Sequence, residues 1–98
     1  MEVRTQSVHF DADETLLTFI NEKVEKLETF YDNIVSADVI LRLQRSGQIQ
    51  DKIAEIKINV PGATLIVKET KKTFEEAVDL GASSLRRQLL KYKSKQRG

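Results

Sequence analysis

The chain has 98 residues, of which 40% are hydrophobic and none is cysteine, so disulfides and thiolate metal sites are excluded. This length suits one small domain with its own core, and no apolar run approaches the ~20 residues of a membrane span. The formal net charge is only +1, but residues 84–98 carry six bases and no acid, whereas residues 1–83 carry ten bases and fifteen acids. This asymmetry predicts a surface for polyanions at the basic end.

The first half of the chain predicts a strand, a helix and a second strand. Residues 1–10 alternate in polarity, with a change of phase before Val8 that a β-bulge would produce. Asp13 is placed to cap a helix over residues 14–31. Its apolar stripe consists of Leu16, Ile20, Val24, Leu27 and Tyr31. From Val35 the period becomes two, which predicts a strand over residues 35–44. Its apolar face consists of Val35, Ala37, Val39, Leu41 and Leu43.

The second half predicts two more strands and a second helix. Residues 44–52 are polar and predict a loop or a flexible hairpin end, and Ala54 to Val60 alternate as a strand. Pro61-Gly62 has the order of a type II turn before a strand with Leu65 and Val67. Thr73 and Glu76 form a capping box for a helix that extends at least to Tyr92. The core face of this helix consists of Phe74, Val78, Ala82, Leu85, Leu89 and Tyr92. Gly81 lies where we expect a larger apolar residue.

The order βαβββα predicts an α+β fold. Each strand has one apolar face, so we expect both helices to cover the same side of a four-stranded mixed sheet. A right-handed crossover makes strands 1 and 2 parallel, and short connections make strands 2, 3 and 4 an antiparallel meander. We expect a single domain over residues 1–98, with a basic end over residues 84–98. Nothing apolar follows Tyr92, so the segment after about residue 92 is a candidate for order only on RNA.

The sequence offers little chemistry. His9 is the only histidine, with no second metal ligand at motif spacing. Ser83-Ser84 lacks the glycine-flanked turn of a hydrolase nucleophile, and PGAT is too short for a phosphate loop. We therefore predict no enzyme activity, no metal and no cofactor. The first residues alternate in polarity, unlike a signal peptide, so we expect a soluble cytoplasmic protein.

The basic end divides into two stripes on the second helix. At about 100° per residue, Arg87, Lys91 and Lys95 form one stripe. Arg86, Lys93 and Arg97 form another, about 140° away. Lys23 and Lys26 lie beside the core face of the first helix and are placed to extend a stripe across both helices. A continuous basic strip suits a phosphate backbone.

Two segments, NEKVEKLETFYDNI in the first helix and SLRRQLLKYKSK in the second, together with the βαβββα order, carry a family resemblance. The chain resembles the bacterial hibernation-promoting factor and ribosome-associated inhibitor family, also called sigma-54 modulation proteins. The resemblance implies binding to the small ribosomal subunit and its rRNA, in the channel that mRNA and tRNA otherwise occupy. It implies repression of translation in resting cells by occlusion.

The resemblance also implies which residues bind RNA. The family's basic positions map onto Lys23, Lys26, Arg87, Lys91 and Lys95, and in some members onto Lys93. This favours the stripe of Arg87, which we expect to join Lys23 and Lys26. The weaker RNA-binding candidates are Arg42, Lys68, Arg86 and Arg97. The chain departs from the family at Thr73-Phe74-Glu75, where Asp-Met-Tyr is frequent, and at Ser84, where lysine is frequent.

The chain resembles a short form without the second, dimer-forming domain of long members. We therefore expect a monomer that needs a separate factor to pair ribosomes, with no membrane or DNA partner. Two alternatives stay open. A general binder of double-stranded RNA has a similar helix-covered sheet and basic helix. A protein-binding transcription modulator would use the open sheet face around Ile40 and Ile66.

Overall fold

The structure is a computed structural model that describes residues 1–46 and 49–97, with the side chains of residues 46, 49, 96 and 97 outside the described part. The strands are β1 (Glu2–Ser7), β2 (Ser36–Ser46), β3 (Ile49–Val60) and β4 (Ala63–Lys71). The helices are α1 (Glu14–Glu25) and α2 (Phe74–Arg97), and a 3-10 segment, Lys26–Thr29, follows α1. Neither α1 nor α2, as described, combines the length and apolar character needed to cross a bilayer.

The predicted α+β architecture is confirmed. The sheet has the order β1-β2-β3-β4, with β1 parallel to β2 and the other neighbours antiparallel. Apart from Ala82, which is buried outside this cluster, the residues of the two predicted helical stripes pack with alternate residues of β2, β3 and β4 in one core. Both helices therefore lie on one face of the sheet and leave the other face open to solvent.

The predicted bulge in β1 is wrong. The register of β1 with β2 is continuous from Glu2 opposite Ser36 to Ser7 opposite Leu41. The change of phase arises after the strand, because His9 has the left-handed φ of 65°, which is uncommon for a residue other than glycine. The chain turns there, and the Phe10 ring stacks on Phe74 at the start of α2, with centroids 5.2 Å apart.

The first helix begins as predicted but changes form before Tyr31. The Leu16 N–H donates to the Asp13 carboxylate at 2.8 Å, which confirms the N-cap. After Glu25 the chain tightens into the 3-10 segment, where the Thr29 hydroxyl donates to the Lys26 carbonyl at 2.8 Å. A hydroxyl that takes a backbone carbonyl competes with the α-helical pattern. The predicted stripe from Leu16 to Tyr31 is nevertheless buried throughout.

The loop or hairpin end predicted over residues 44–52 is the end of the β2–β3 hairpin, and most of it is strand. Strands β2 and β3 pair in register from Ser36 opposite Asn59 to Ser46 opposite Ile49, and Gly47 and Gln48 lie outside the described residues. Backbone pairing needs no apolar side chains, so this end of the hairpin carries no hydrophobic signal. At the other end, Val35 precedes β2 and is 62% exposed, so its predicted place on the apolar face is wrong. Leu43 is also exposed.

The turn and the cap before α2 are confirmed. Val60 pairs with Ala63 around Pro61-Gly62, and Gly62 has a φ of 83°, as the third residue of a type II turn requires. The Glu76 N–H donates to the Thr73 hydroxyl at 3.1 Å. Helix α2 then runs past Tyr92 to Arg97.

Gly81 lies where α2 packs against β3 and β4. A Cβ atom at this position would be 3.1 Å from Ile56 Cδ1 and 3.3 Å from Val67 Cγ2. These distances are shorter than ordinary van der Waals contact, so the absence of a side chain lets the helix axis approach β3 and β4. The glycine that the sequence pattern did not explain is a packing residue.

Candidate nucleic-acid interface

A groove between the first helical segment and α2 gathers basic side chains from both. Its volume is about 130 Å³, below the ~300–1,000 Å³ of pockets that enclose small molecules. We call it the helix groove. Its lining residues are Lys23, Lys26, Leu27, Phe30, Asp79, Ala82, Ser83 and Arg86. Leu27 and Ala82 are buried at its floor, and the cations stand along its walls. Its size and shape suit a phosphate group of an extended backbone.

Lys23 is held between an anion and an aromatic ring. Its Nζ lies 3.0 Å from Asp79 Oδ1 and 5.6 Å from the centroid of the Phe19 ring. Lys26 lies one turn further along, in the 3-10 segment, and is exposed. Three cations line the helix groove against one carboxylate, which leaves a local formal charge of +2.

Arg86 is fixed by a stacking contact. Its guanidinium carbon lies 4.6 Å from the centroid of the Phe30 ring. At an exposed site such a cation–π contact is worth about 0.5–1 kcal/mol. The half-buried ring comes from the turn after the 3-10 segment, so packing of the first helical segment positions a cation of α2.

The expected junction of the Arg87 stripe with Lys23 and Lys26 is wrong. Arg87 stands two residues from both Leu85 and Leu89, which are fully buried, so it projects from the side of α2 opposite the core. Lys91 and Lys95 follow it at four-residue spacing, around the side of α2 turned away from the helix groove. Arg86 is the basic residue of α2 that meets Lys23 and Lys26.

The remaining residues of the Arg86 stripe lie further along α2. Lys93 is half-buried beside Tyr92, whose hydroxyl donates to the Pro61 carbonyl at 2.6 Å. The Tyr92 ring also meets Tyr31 edge to face, with centroids 5.8 Å apart. These contacts anchor the basic half of α2 to the sheet. The side chain of Arg97 lies outside the described part of the chain.

The other two weaker candidates lie on the open face of the sheet. Arg42 is paired with Glu55, with Nη1 and Oε2 3.6 Å apart, and Lys68 is opposite Glu55 on the next strand. The structure therefore does not bring them to the helix groove. Ile66 is exposed on this face, while Ile53 is buried there between Arg42 and Thr70.

His9 is exposed at the turn after β1. Over residues 1–46 and 49–97, no three His, Asp or Glu side chains are grouped so that they could hold a metal ion.

Sequence reasoning missed three residues of the helix groove, namely Phe30, Asp79 and Ser83. Helical spacing contained part of the signal. Asp79 is seven residues before Arg86, so the two side chains share a face of α2. Phe30 is four residues after Lys26, a spacing that places two side chains on one side of a helical turn.

Comparison with known proteins gives consistent matches. A sequence model of the family described as sigma 54 modulation protein / S30EA ribosomal protein matches residues 3–97. A ribosome hibernation promoting factor of Azotobacter vinelandii is 32% identical over 96 residues, which cover 98% of this chain and 86% of that protein. A ribosome hibernation promotion factor of Bacillus subtilis is 26% identical over 97% of this chain, which spans 50% of that longer protein.

Solved structures agree on the fold. A ribosomal subunit interface protein from Coxiella burnetii superposes with a TM-score of 0.85 at 22% identity, covering 96% of this chain and 99% of that one. The N-terminal domain of Thermus thermophilus Protein Y superposes with a TM-score of 0.75 at 21% identity, covering 93% and 94%. Because the matched family extends over nearly the whole chain, the chain belongs to the sigma 54 modulation protein / S30EA ribosomal protein family.

Proposed function

We propose that this protein is a ribosome hibernation factor that binds the small ribosomal subunit and represses translation in resting cells. It occupies the channel of mRNA and tRNA, and its basic side chains contact rRNA phosphates. The mechanism is occlusion, with no reaction and no cofactor. The protein acts in the cytoplasm as a monomer bound to ribosomes, and a separate factor pairs the ribosomes.

The observation that carries this proposal is the helix groove and the basic half of α2 that continues from it. Lys23, Lys26 and Arg86 line the groove, and no acid follows Asp79 in the chain. Arg87, Lys91 and Lys95 are exposed on the same helix. Cations on both sides of α2 attract a phosphate backbone through release of its counterions, and this favours RNA as the ligand.

The comparisons support the ribosome as the source of that RNA. Relatives that match almost the whole chain are named ribosome hibernation promoting factor. The fold also matches a protein named for the interface of the ribosomal subunits. Family membership thus supports ribosome-associated hibernation, and the small-subunit channel and the rRNA contacts are the finer parts of our proposal.

A stationary-phase lysate fractionated on a sucrose gradient tests the proposal. We expect the protein to sediment with small subunits and with particles that contain them, and to stay there when excess duplex RNA is added. A variant with Lys26→Gln and Arg86→Gln should shift toward the top of the gradient, because two cations of the groove are lost. Protein that stays free of ribosomes would refute the proposal, and release by duplex RNA would favour a general RNA binder instead.

A further inference from the structure

The helix groove contains an acid that works against its proposed ligand. Asp79 is the one acidic side chain among the described residues that line the groove. Its Oδ1 lies 3.0 Å from Lys23 Nζ. The Asp79 side chain is 57% exposed and that of Lys23 is 42% exposed, and ion pairs this accessible contribute little to stability.

Position on α2 sets Asp79 apart from the other acids of that helix. Glu75 and Glu76 lie in the first turn, where the helix dipole stabilises acidic side chains. The Glu76 N–H also donates to the capping hydroxyl of Thr73. Asp79 follows that turn. Every charged residue after it in the sequence is a base. It faces the groove that Arg86 shares. Helix capping therefore does not account for a carboxylate here.

The ion pair has a direct consequence for an anion that enters the groove. Lys23 is already neutralised by Asp79, and the carboxylate repels a phosphate that approaches Lys26 or Arg86. An incoming phosphate must displace Asp79 to gain Lys23. Because an ion pair this exposed is weak, the pair and the repulsion together lower only modestly the affinity of a ligand that contacts the groove alone. A ligand that also engages the outer side of α2 gains further contacts that offset this loss. A repulsive group of this kind lowers the affinity for wrong partners more than it lowers the affinity for the correct partner.

We propose that Asp79 is a specificity-determining residue. Its ion pair with Lys23 in the free protein suppresses binding of the helix groove to RNA other than the proposed ribosomal site. This inference rests on the proposed function. Asp79 acts as a competitor carboxylate that only an RNA of matching shape displaces.

The test compares Asp79→Asn with the wild-type protein in binding to a generic RNA duplex and to purified small subunits, measured by fluorescence anisotropy. We expect affinity for the duplex to rise about three- to ten-fold at low salt, with a smaller gain for the subunit. The salt slope for the duplex should steepen by about one, because one more cation is available to phosphate.

Asp38→Asn is the matched control, because Asp38 forms an ion pair of the same length, 3.0 Å, with Arg4 on the open face of the sheet. It makes the same change of net charge away from the groove. A second control repeats Asp79→Asn in a Lys23→Gln background, where we expect a smaller gain, because the substitution then removes the repulsion but releases no lysine. Circular dichroism checks that each variant is folded.

Equal effects of Asp79→Asn and Asp38→Asn on duplex binding would overturn the inference, as would an equal gain for duplex and subunit. A gain that persists unchanged in the Lys23→Gln background would also overturn it. Failure of the proposed function looks different, since the wild-type protein itself would then not bind small subunits.

Discussion

At the scale of single residues, the cation–π contact between Arg86 and Phe30 is the interaction in the site that depends most on the shape of one side chain. Arg86→Lys keeps the charge but loses the planar group that stacks on Phe30 at 4.6 Å. Because this contact holds Arg86 in position before binding, its loss should weaken affinity for the small subunit by at most its own worth of about 0.5–1 kcal/mol, a factor of roughly two to five. The binding constant from anisotropy or filter binding measures this loss.

Arg87→Lys is the control for that change, because Arg87 projects away from the core and from the groove. We expect Arg87→Lys to weaken affinity for the small subunit by less than two-fold. A factor of ten in affinity equals about 1.4 kcal/mol. If the two substitutions weaken binding equally, the contact of the Arg86 guanidinium with Phe30 has no special role in binding.

At the scale of elements, Gly81 tests how closely α2 must approach the sheet. Gly81→Ala gains about 1 kcal/mol of helix propensity but places a methyl group 3.1 Å from Ile56 Cδ1. Ile56 is fully buried, so its methyl group has little room to move, and overpacking of this kind costs about 1–3 kcal/mol. We expect a net loss of about 0–2 kcal/mol in the free energy of unfolding, measured in urea.

Ser94→Ala on the exposed side of the same helix provides the comparison. It changes propensity without a packing contact, so we expect no loss of stability. A Gly81→Ala protein that is more stable than the wild type would show that the sheet yields to the methyl group.

The elements also show what a sequence can and cannot predict here. The stripe from Leu16 to Tyr31 and the alternation of β2 and β3 report burial, so they predicted the layers and the core. The polar end of the β2–β3 hairpin pairs through its backbone alone, which leaves no pattern to detect. Spacing along α2 gives the angle between Arg86 and Arg87. It does not say on which side the first helical segment lies, because the packing of two helices on a sheet decides that.

At the scale of the whole molecule, the question is whether placed charge or net charge binds RNA. Three triple glutamine variants remove the same charge from three surfaces. The groove variant changes Lys23, Lys26 and Arg86. The outer variant changes Arg87, Lys91 and Lys95. The open-face variant changes Arg42, Lys68 and Lys57, which lies between Asp38 of β2 and Ile66 of β4 on that face.

If the wild-type protein contacts about three to five phosphates, a plot of the logarithm of its affinity against the logarithm of salt concentration should have a slope of roughly −2 to −5. The groove and outer variants should each reduce that slope by about 1 to 3, because they remove cations that we propose to contact phosphate. The open-face variant should keep it, since its residues lie across the sheet from both helices and Arg42 is paired with Glu55. Equal slopes for all three variants would mean that the basic half of α2 acts only as a diffuse attraction. A reduced slope for the groove and outer variants alone would mean that the basic half of α2 is an oriented, RNA-facing surface.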